Sequence, residues 1–388
     1  LNWAFAMADH IAYLPRGNYF ITSNLAEPVS AQIVGAGSLT TRITAQAGVT
    51  KVLSLASTSG AHLTLIQGIQ IIGNATTNAR GIVVGDGGIQ GGTFRDVWVH
   101  AFTGTGAIAG YVRNVVGFLC EQCTFSDSTV NLQVEGTTTS WPTQTMFING
   151  AVIGATTKGV NLLSGRNVIF KNVDFESNGQ EGFYSRPVNG AVLRNIVLED
   201  CWFEGNYGAS TTQYQIVVDG SLVPAEYSFR MVRGQYVSGP GTAKSIRLIG
   251  NVISRLDDIT LVNSSANPQL TVSSGGIAFV TLGVLNAGQY TGLVSDPTNV
   301  AINGAIRSGD VTLNANQIST TVTFGPLGLN EPTNLSHIVL TPLTASEAAD
   351  VGSAGGVYIS TITPGVSFVI AHPNTAATDK QFYFLIVN

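Results

Sequence analysis

Phe170-Lys-Asn-Val-Asp-Phe-Glu-Ser-Asn178 and Leu198-Glu-Asp-Cys-Trp-Phe-Glu-Gly-Asn206 are one pattern written twice. Both place apolar residues at offsets 0, 3 and 5, Glu at offset 6 and Asn at offset 8. With that frame set, six more copies start at Ile66, Phe94, Cys120, Phe147, Met231 and Leu256. The eight successive starts are 28, 26, 27, 23, 28, 33 and 25 residues apart. Offset 5 reads Ile71, Val99, Phe125, Val152, Phe175, Phe203, Tyr236 and Leu261, while offset 3 is apolar or Gly throughout. A self-similar period of this length is the signature of a solenoid.

Apolar offsets 3 and 5 alternate with offsets 4 and 6 that tolerate polar residues, so the repeating unit is a half-buried strand. Offset 2 is mostly polar (Asp96, Gln122, Asn149, Asn172, Asp200, Arg233, Asp258) and suits a bend between two short strands. Each copy runs in the same direction and returns by a long path, so equivalent strands must stack in parallel, one rung per repeat. The expected fold is all-β: a right-handed parallel β-helix of about 27 residues per rung. Composition agrees. Charged residues are 11% of 388, Gly numbers 45, and the Lys, Glu and Arg that build helical solenoids are scarce.

The chain in order predicts three parts. Residues 1–28 form an N-terminal cap, with a short apolar helix over 1–10, and an opening rung. Residues 29–300 form the β-helix, whose pattern fades after about residue 265. Residues 301–388 change texture: alternating strands around Val311–Phe324, Asn334–Pro342, Gly356–Ser360, Val366–Ile370 and Gln381–Val387, separated by Gly, Pro and Asn, predict a small antiparallel β-sandwich. The chain starts without Met or a signal peptide and reads as a fragment or processed product. The mean hydropathy of +0.25 does not reflect a membrane span, because the longest charge-free stretch, Ile259–Val294, is broken by Asn, Ser, Gly and Pro. A net charge of −5 without a basic patch argues against a nucleic-acid partner.

Two segments carry resemblances. Ile11-Ala-Tyr-Leu-Pro-Arg-Gly-Asn-Tyr-Phe-Ile21 resembles the opening rung of pectate-lyase-like proteins, and the likeness continues through the eight rungs. His337-Ile-Val-Leu-Thr-Pro342 and Phe368–Phe384 resemble the C-terminal β-domains of bacteriophage tail fibres and tailspikes. Together they resemble a capsule-depolymerising phage tailspike. That resemblance implies a homotrimer in the virion tail, at the host cell surface, its C-terminal domain serving trimerisation or receptor binding. It also implies binding, and commonly cleavage, of a bacterial surface polysaccharide (capsule, exopolysaccharide or O-antigen).

The three cysteines fall at inward offsets, Cys120 at 0 and Cys123 and Cys201 at 3. Cys123 and Cys201 share a column but lie three rungs apart, ~14 Å at ordinary strand spacing, too far to bridge. They read as buried hydrophobes. Neither a zinc-type spacing with His partners nor a tight Asp cluster for calcium is present. No metal or cofactor is expected.

Chemistry is sought at offsets 4 and 6, which face solvent side by side. They concentrate Trp98, His100, Asp174, Glu176, Trp202 and Glu204 on one face. An outward Trp asks for a cover, either a sugar ring or a neighbouring subunit. Glu176 and Glu204 share a column on adjacent rungs, with backbones ~4.8 Å apart. Like charges so close resist joint ionisation, and one pKa is expected to rise. An acid that holds its proton beside an ionised partner is what glycoside hydrolysis requires. The Glu pair suits the shorter retaining separation, and the diagonal Asp174–Glu204 pair, ~8 Å apart, leaves room for the water of an inverting enzyme. Tyr184 and Arg186, on the next strand of the rung, are candidates for an acidic sugar. The bland readings stand beside these: strand-end Glu residues solvated, Asn178 and Asn206 as turn formers, His100 as a surface His, and Arg166 and Arg194 bonding turn carbonyls. A polysaccharide lyase, a non-catalytic glycan-binding adhesin and a purely structural spike are the alternatives.

Overall fold

The computed structural model describes residues 11–26, 32–55, 65–85, 89–137, 140–188, 191–207, 213–222, 227–237, 244–250, 252–262, 270–273, 277–282, 300–303, 307–323, 336–343, 348, 351, 356–364, 366–374 and 380–387. The expected helix over residues 1–10 lies outside these, as do the side chains of Tyr236 and Leu261. The chain is a parallel β-helix followed by two small antiparallel sheets.

Every step of the eightfold repeat pairs in the expected register. Ile66, Phe94, Cys120, Phe147, Phe170, Leu198, Met231 and Leu256 are successive parallel partners. All eight are buried, as are the offset-5 residues from Ile71 to Phe203. The pairing extends beyond them. Ala12 and Ile33 continue the column upstream of Ile66, and Val280 and Ile302 continue it downstream of Leu256. The upstream rung escaped the sequence pattern because residues 36–40 interrupt it between Gln32–Gly35 and Thr41–Ala45. Downstream, what fades after residue 265 is the side-chain pattern and not the backbone pairing, which runs to Asn303.

The bend at offset 2 is left-handed on all eight rungs: Gly68, Asp96, Gln122, Asn149, Asn172, Asp200, Arg233 and Asp258 have φ between 50° and 64°. Short polar side chains tolerate this backbone region, and the kink turns the strand so that offsets 3 and 5 point inward again. The corner is stitched from outside, with Asn172 Nδ2 donating to Asn149 Oδ1 at 2.9 Å and Arg233 Nε to Asp200 Oδ1 at 2.7 Å. Asn178 and Asn206 bond turn backbone, as expected, but from inside the coil. Each is 1% exposed. Asn178 Nδ2 donates to Asn206 Oδ1 at 2.7 Å, Asn206 Nδ2 to the Phe175 carbonyl at 2.9 Å, and Asn178 Oδ1 accepts from the Ala155 amide at 3.0 Å. A buried turn with such a ladder leaves few backbone groups unsatisfied.

A second, ten-stranded parallel sheet closes the coil. Ile82, Gly110, Leu132, Val160, Phe183, Ile216 and Ile246 form its inward column. All three cysteines are free and buried, and burial raises the thiols of Cys120 and Cys201. Among the described residues no helix is long and apolar enough to cross a membrane. Beyond Asn303, Arg307–Thr312, His337–Pro342 and Gln381–Val387 form one antiparallel sheet, and Ser319–Thr323, Tyr358–Thr363 and Ser367–Ala371 another. Phe368 and Ile370 of the second meet Phe382, Phe384 and Ile386 of the first in one core. The first expected strand, Val311–Phe324, is in fact two strands, one in each sheet.

Replacing Phe175 by Ala should destabilise the coil by about 3–5 kcal/mol, the usual loss for a buried aromatic. At the left-handed corner Asn172→Val should cost about 1–2 kcal/mol while Asn172→Gly costs far less. Chemical-denaturation midpoints of the three variants check both. A Val variant as stable as the Gly variant would contradict the corner's geometry.

Candidate functional site

Glu176 and Glu204 are direct partners in the parallel ladder, and Asp174 lies directly opposite Trp202. These four outward positions follow from the inward ones: Phe175 and Phe203 between them are 0% exposed, so their neighbours on each strand must face out. The column is short. Ala151 and Ile153 flank the carboxylates on the preceding rung, and Gln235 and Val237 follow. Trp202 Nε1 donates to Glu204 Oε2 at 3.1 Å, which fixes both side chains on one rung. The side chains of Asp174 and Glu176 have no hydrogen-bond or ion-pair partner among the described residues. Desolvation raises the pKa of Asp174 although its side chain remains largely open to solvent, and no like charge contributes to that shift.

Trp98 and His100 lie on the same sheet but three rungs away, on Thr93–His100, so they form a separate cluster. Their rings stack with centroids 4.6 Å apart. Trp98 Nε1 donates to Ser126 Oγ at 3.0 Å, and Ser126 Oγ donates to Asp127 Oδ2 at 2.8 Å. Gln70 Nε2 lies 2.9 Å from His100 Nε2, a contact suited to a neutral ring whose Nε2 accepts. His100 is therefore no isolated surface residue. Desolvation lowers its pKa, the charge of Asp127 opposes that shift, and Arg42 reinforces it.

Tyr184 and Arg186 belong to the other wall. Tyr184 lies on Phe183–Ser185 of the ten-stranded sheet, where it pairs with Asn161 and Val217, and Arg186 follows it. The structure does not bring them onto the face of Asp174, Glu176 and Glu204. Arg186 Nε lies 3.4 Å from Asp219 Oδ2, an ion pair without an aligned hydrogen bond. The Nζ of Lys158, a residue the sequence pattern did not single out, sits 3.6 Å from the Tyr184 ring centroid. Glu181 was missed too: it sits in a turn, outside the offset-4 and offset-6 columns, and is 7% exposed. Arg166 lies over the ring of Trp141, 4.6 Å from its centroid, rather than on a turn carbonyl. No group of three or more His, Cys, Asp or Glu side chains arranged to hold a metal occurs among the described residues.

No known protein family and no curated protein matches the sequence. Solved structures do match. ORF18 of Geobacillus virus E2 superposes with a TM-score of 0.55 at 14% identity, covering 95% of this chain and 70% of that one. The tailspike gp49 of Pseudomonas phage LKA1 gives 0.54 at 12% identity, covering 97% and 90%. The gp54 tailspike of Acinetobacter baumannii bacteriophage AP22, solved with A. baumannii capsular saccharide, gives 0.51 at 10% identity, covering 98% and 91%. Two of these three neighbours are phage tailspikes, and at these identities the likeness is one of fold.

Folded His100 binds its proton less readily than the unfolded chain does, so its contribution to stability is present at neutral pH. That contribution should fall as pH drops through the ordinary histidine value of about 6.5. An NMR titration should place His100 below that value, and Asp127→Asn should lower it further by removing the charge that favours imidazolium. A rise on that substitution would reverse the assignment of the cluster's electrostatics.

Proposed function

We propose that the chain is the β-helical body of a phage tailspike that binds and hydrolyses a bacterial surface polysaccharide across the face of Asp174, Glu176, Trp202 and Glu204. In this reading three chains assemble in the virion tail and act outside the host cell, the sandwich after residue 301 serving assembly or receptor binding. The single observation that supports the site is two carboxyls on adjacent rungs, Asp174 diagonal to Glu204. Asp174 holds its proton above the ordinary aspartate range, and Glu204 is oriented by the Trp202 indole on the adjacent rung. Asp174 then serves as general acid to the departing sugar oxygen, and Glu204 as the base that activates water. Their backbones are on the order of 8 Å apart, one strand spacing across and two residues along. That separation favours inversion at the anomeric carbon. Glu176, unpartnered in the same column as Glu204, is the second candidate base, and Trp202 offers the apolar surface for a sugar ring.

A lyase is the second reading, favoured by the Lys158, Tyr184 and Arg186 group on the other wall, whose residue types suit proton abstraction beside a carboxylate. The products separate the two: hydrolysis yields saturated reducing ends, and elimination yields an unsaturated uronate with its own ultraviolet absorbance.

Asp174→Asn and Glu204→Gln should each slow depolymerisation of host capsule by about a hundred- to ten-thousand-fold, the usual worth of a positioned acid or base. Their thermal midpoints should stay close to the parent's, since exposed strand positions rarely change stability by more than about 0.5 kcal/mol. Glu176→Gln, assayed beside them, decides which Glu is the base. Three variants that all cleave at the parent's rate would remove hydrolysis from this face.

A further inference from the structure

The outer face of the ten-stranded sheet carries a polar stripe that the proposed hydrolytic site does not use. Tyr111, Gln133, Asn161 and Tyr184 are successive partners across four rungs. Asn161 Nδ2 donates to Gln133 Oε1 at 3.0 Å, and Gln133 Nε2 and the Tyr111 hydroxyl both donate to Glu135. This end of the stripe bonds mainly to itself, although Asn161 Oδ1 has no partner.

At the Tyr184 end the bonding is incomplete in a specific way. Glu181, in the turn just before Phe183–Ser185, is 7% exposed. Its Oε2 is buried with no hydrogen-bond partner. Lys158 is close enough to feel the Glu181 charge, yet it forms no ion pair among the described residues. Its ammonium rests on the Tyr184 ring instead. Burial lowers the Lys158 pKa, the mark of a cation without enough counter-charge. A buried carboxylate oxygen without a donor and a half-buried ammonium without an anion each cost free energy in the free protein. One ligand corrects both if it carries a hydroxyl to donate and a carboxylate to accept.

Resting on the polysaccharide reading above, we infer that Lys158, Glu181 and Tyr184 form a subsite for an acidic sugar, a residue of the hexuronate type. Lys158 Nζ takes the sugar carboxylate, and Glu181 Oε2 accepts from a ring hydroxyl. Arg186 is the further cation at its edge, paired with Asp219. A neutral sugar satisfies the Glu181 oxygen but leaves Lys158 uncompensated, so the subsite selects for charge.

Saturation-transfer NMR on the whole chain with sodium D-glucuronate, sodium D-galacturonate, D-glucose and D-galactose tests this. The acidic sugars should bind about tenfold or more tightly than their neutral counterparts, the worth of a charge-assisted bond. Lys158→Gln should abolish that preference, Lys158→Arg should restore most of it, and Glu181→Gln should weaken both sugar classes. Circular dichroism of each variant confirms an intact fold. Equal binding of acidic and neutral sugars, or a preference that survives in Lys158→Gln, overturns the subsite and leaves the hydrolytic reading standing. Failure of every sugar to bind also overturns it, and the capsule assay on the parent chain then judges the polysaccharide reading by itself.

Discussion

Phe175 lies over Phe203 with ring centroids 4.5 Å apart and planes within 4°, and Phe147 lies over Phe170 at 4.7 Å and 10°. Those distances equal the spacing of neighbouring strands, so the interior stack and the backbone ladder enforce one register. A slip of one residue would turn each of these rings to solvent. The rest of the molecule depends on this agreement, because no rung can bury its apolar side except against the rungs beside it. The left-handed corner at offset 2 makes the agreement possible on two walls at once. It turns the strand after Phe170 so that Val173 and Phe175 point into the same core.

Register inside the coil dictates register outside it. Glu176 faces Glu204 only because Phe175 faces Phe203, and Trp202 meets Asp174 for the same reason. A β-helix thus offers side chains at fixed spacing along its axis, as a polysaccharide offers sugars at fixed spacing along its own. The difference between the carboxyls at the site comes from their surroundings. Glu204 is engaged by an indole N–H, whereas Asp174 has only desolvation acting on it. Asp174 thereby binds its proton more tightly than an ordinary aspartate does.

The two outer walls differ in how completely they bond to themselves. On the ten-stranded sheet the groups from Tyr111 to Asn161 bond largely within the stripe, Asn161 Oδ1 excepted, while Glu181 Oε2 lacks a partner and Lys158 lacks an anion among the described residues. On the other sheet the corner charges pair among themselves, Lys171 with Glu199 at 3.1 Å and Arg233 with both Glu199 and Asp200 at 2.7 Å. Exposed pairs of this kind contribute little stability. Here they hold the outer corner of neighbouring rungs in line.

The sequence alone determined the repeat, its register, the inward columns, the bend at offset 2 and the absence of disulfides. Each is a matter of period, and period is written in the chain because every rung meets the same environment. It also places Glu176 beside Glu204, since columns follow from register. Tertiary structure alone decided what depends on the turns between walls, whose lengths vary from rung to rung. Those turns send Tyr184 and Arg186 to a different face from Asp174, bring Lys158 onto the Tyr184 ring, and bury Glu181. They join residues from unequal offsets, and no repeat can announce such a meeting. Proton affinity was likewise beyond the sequence, because desolvation depends on what covers a carboxyl and not on where it stands in the period.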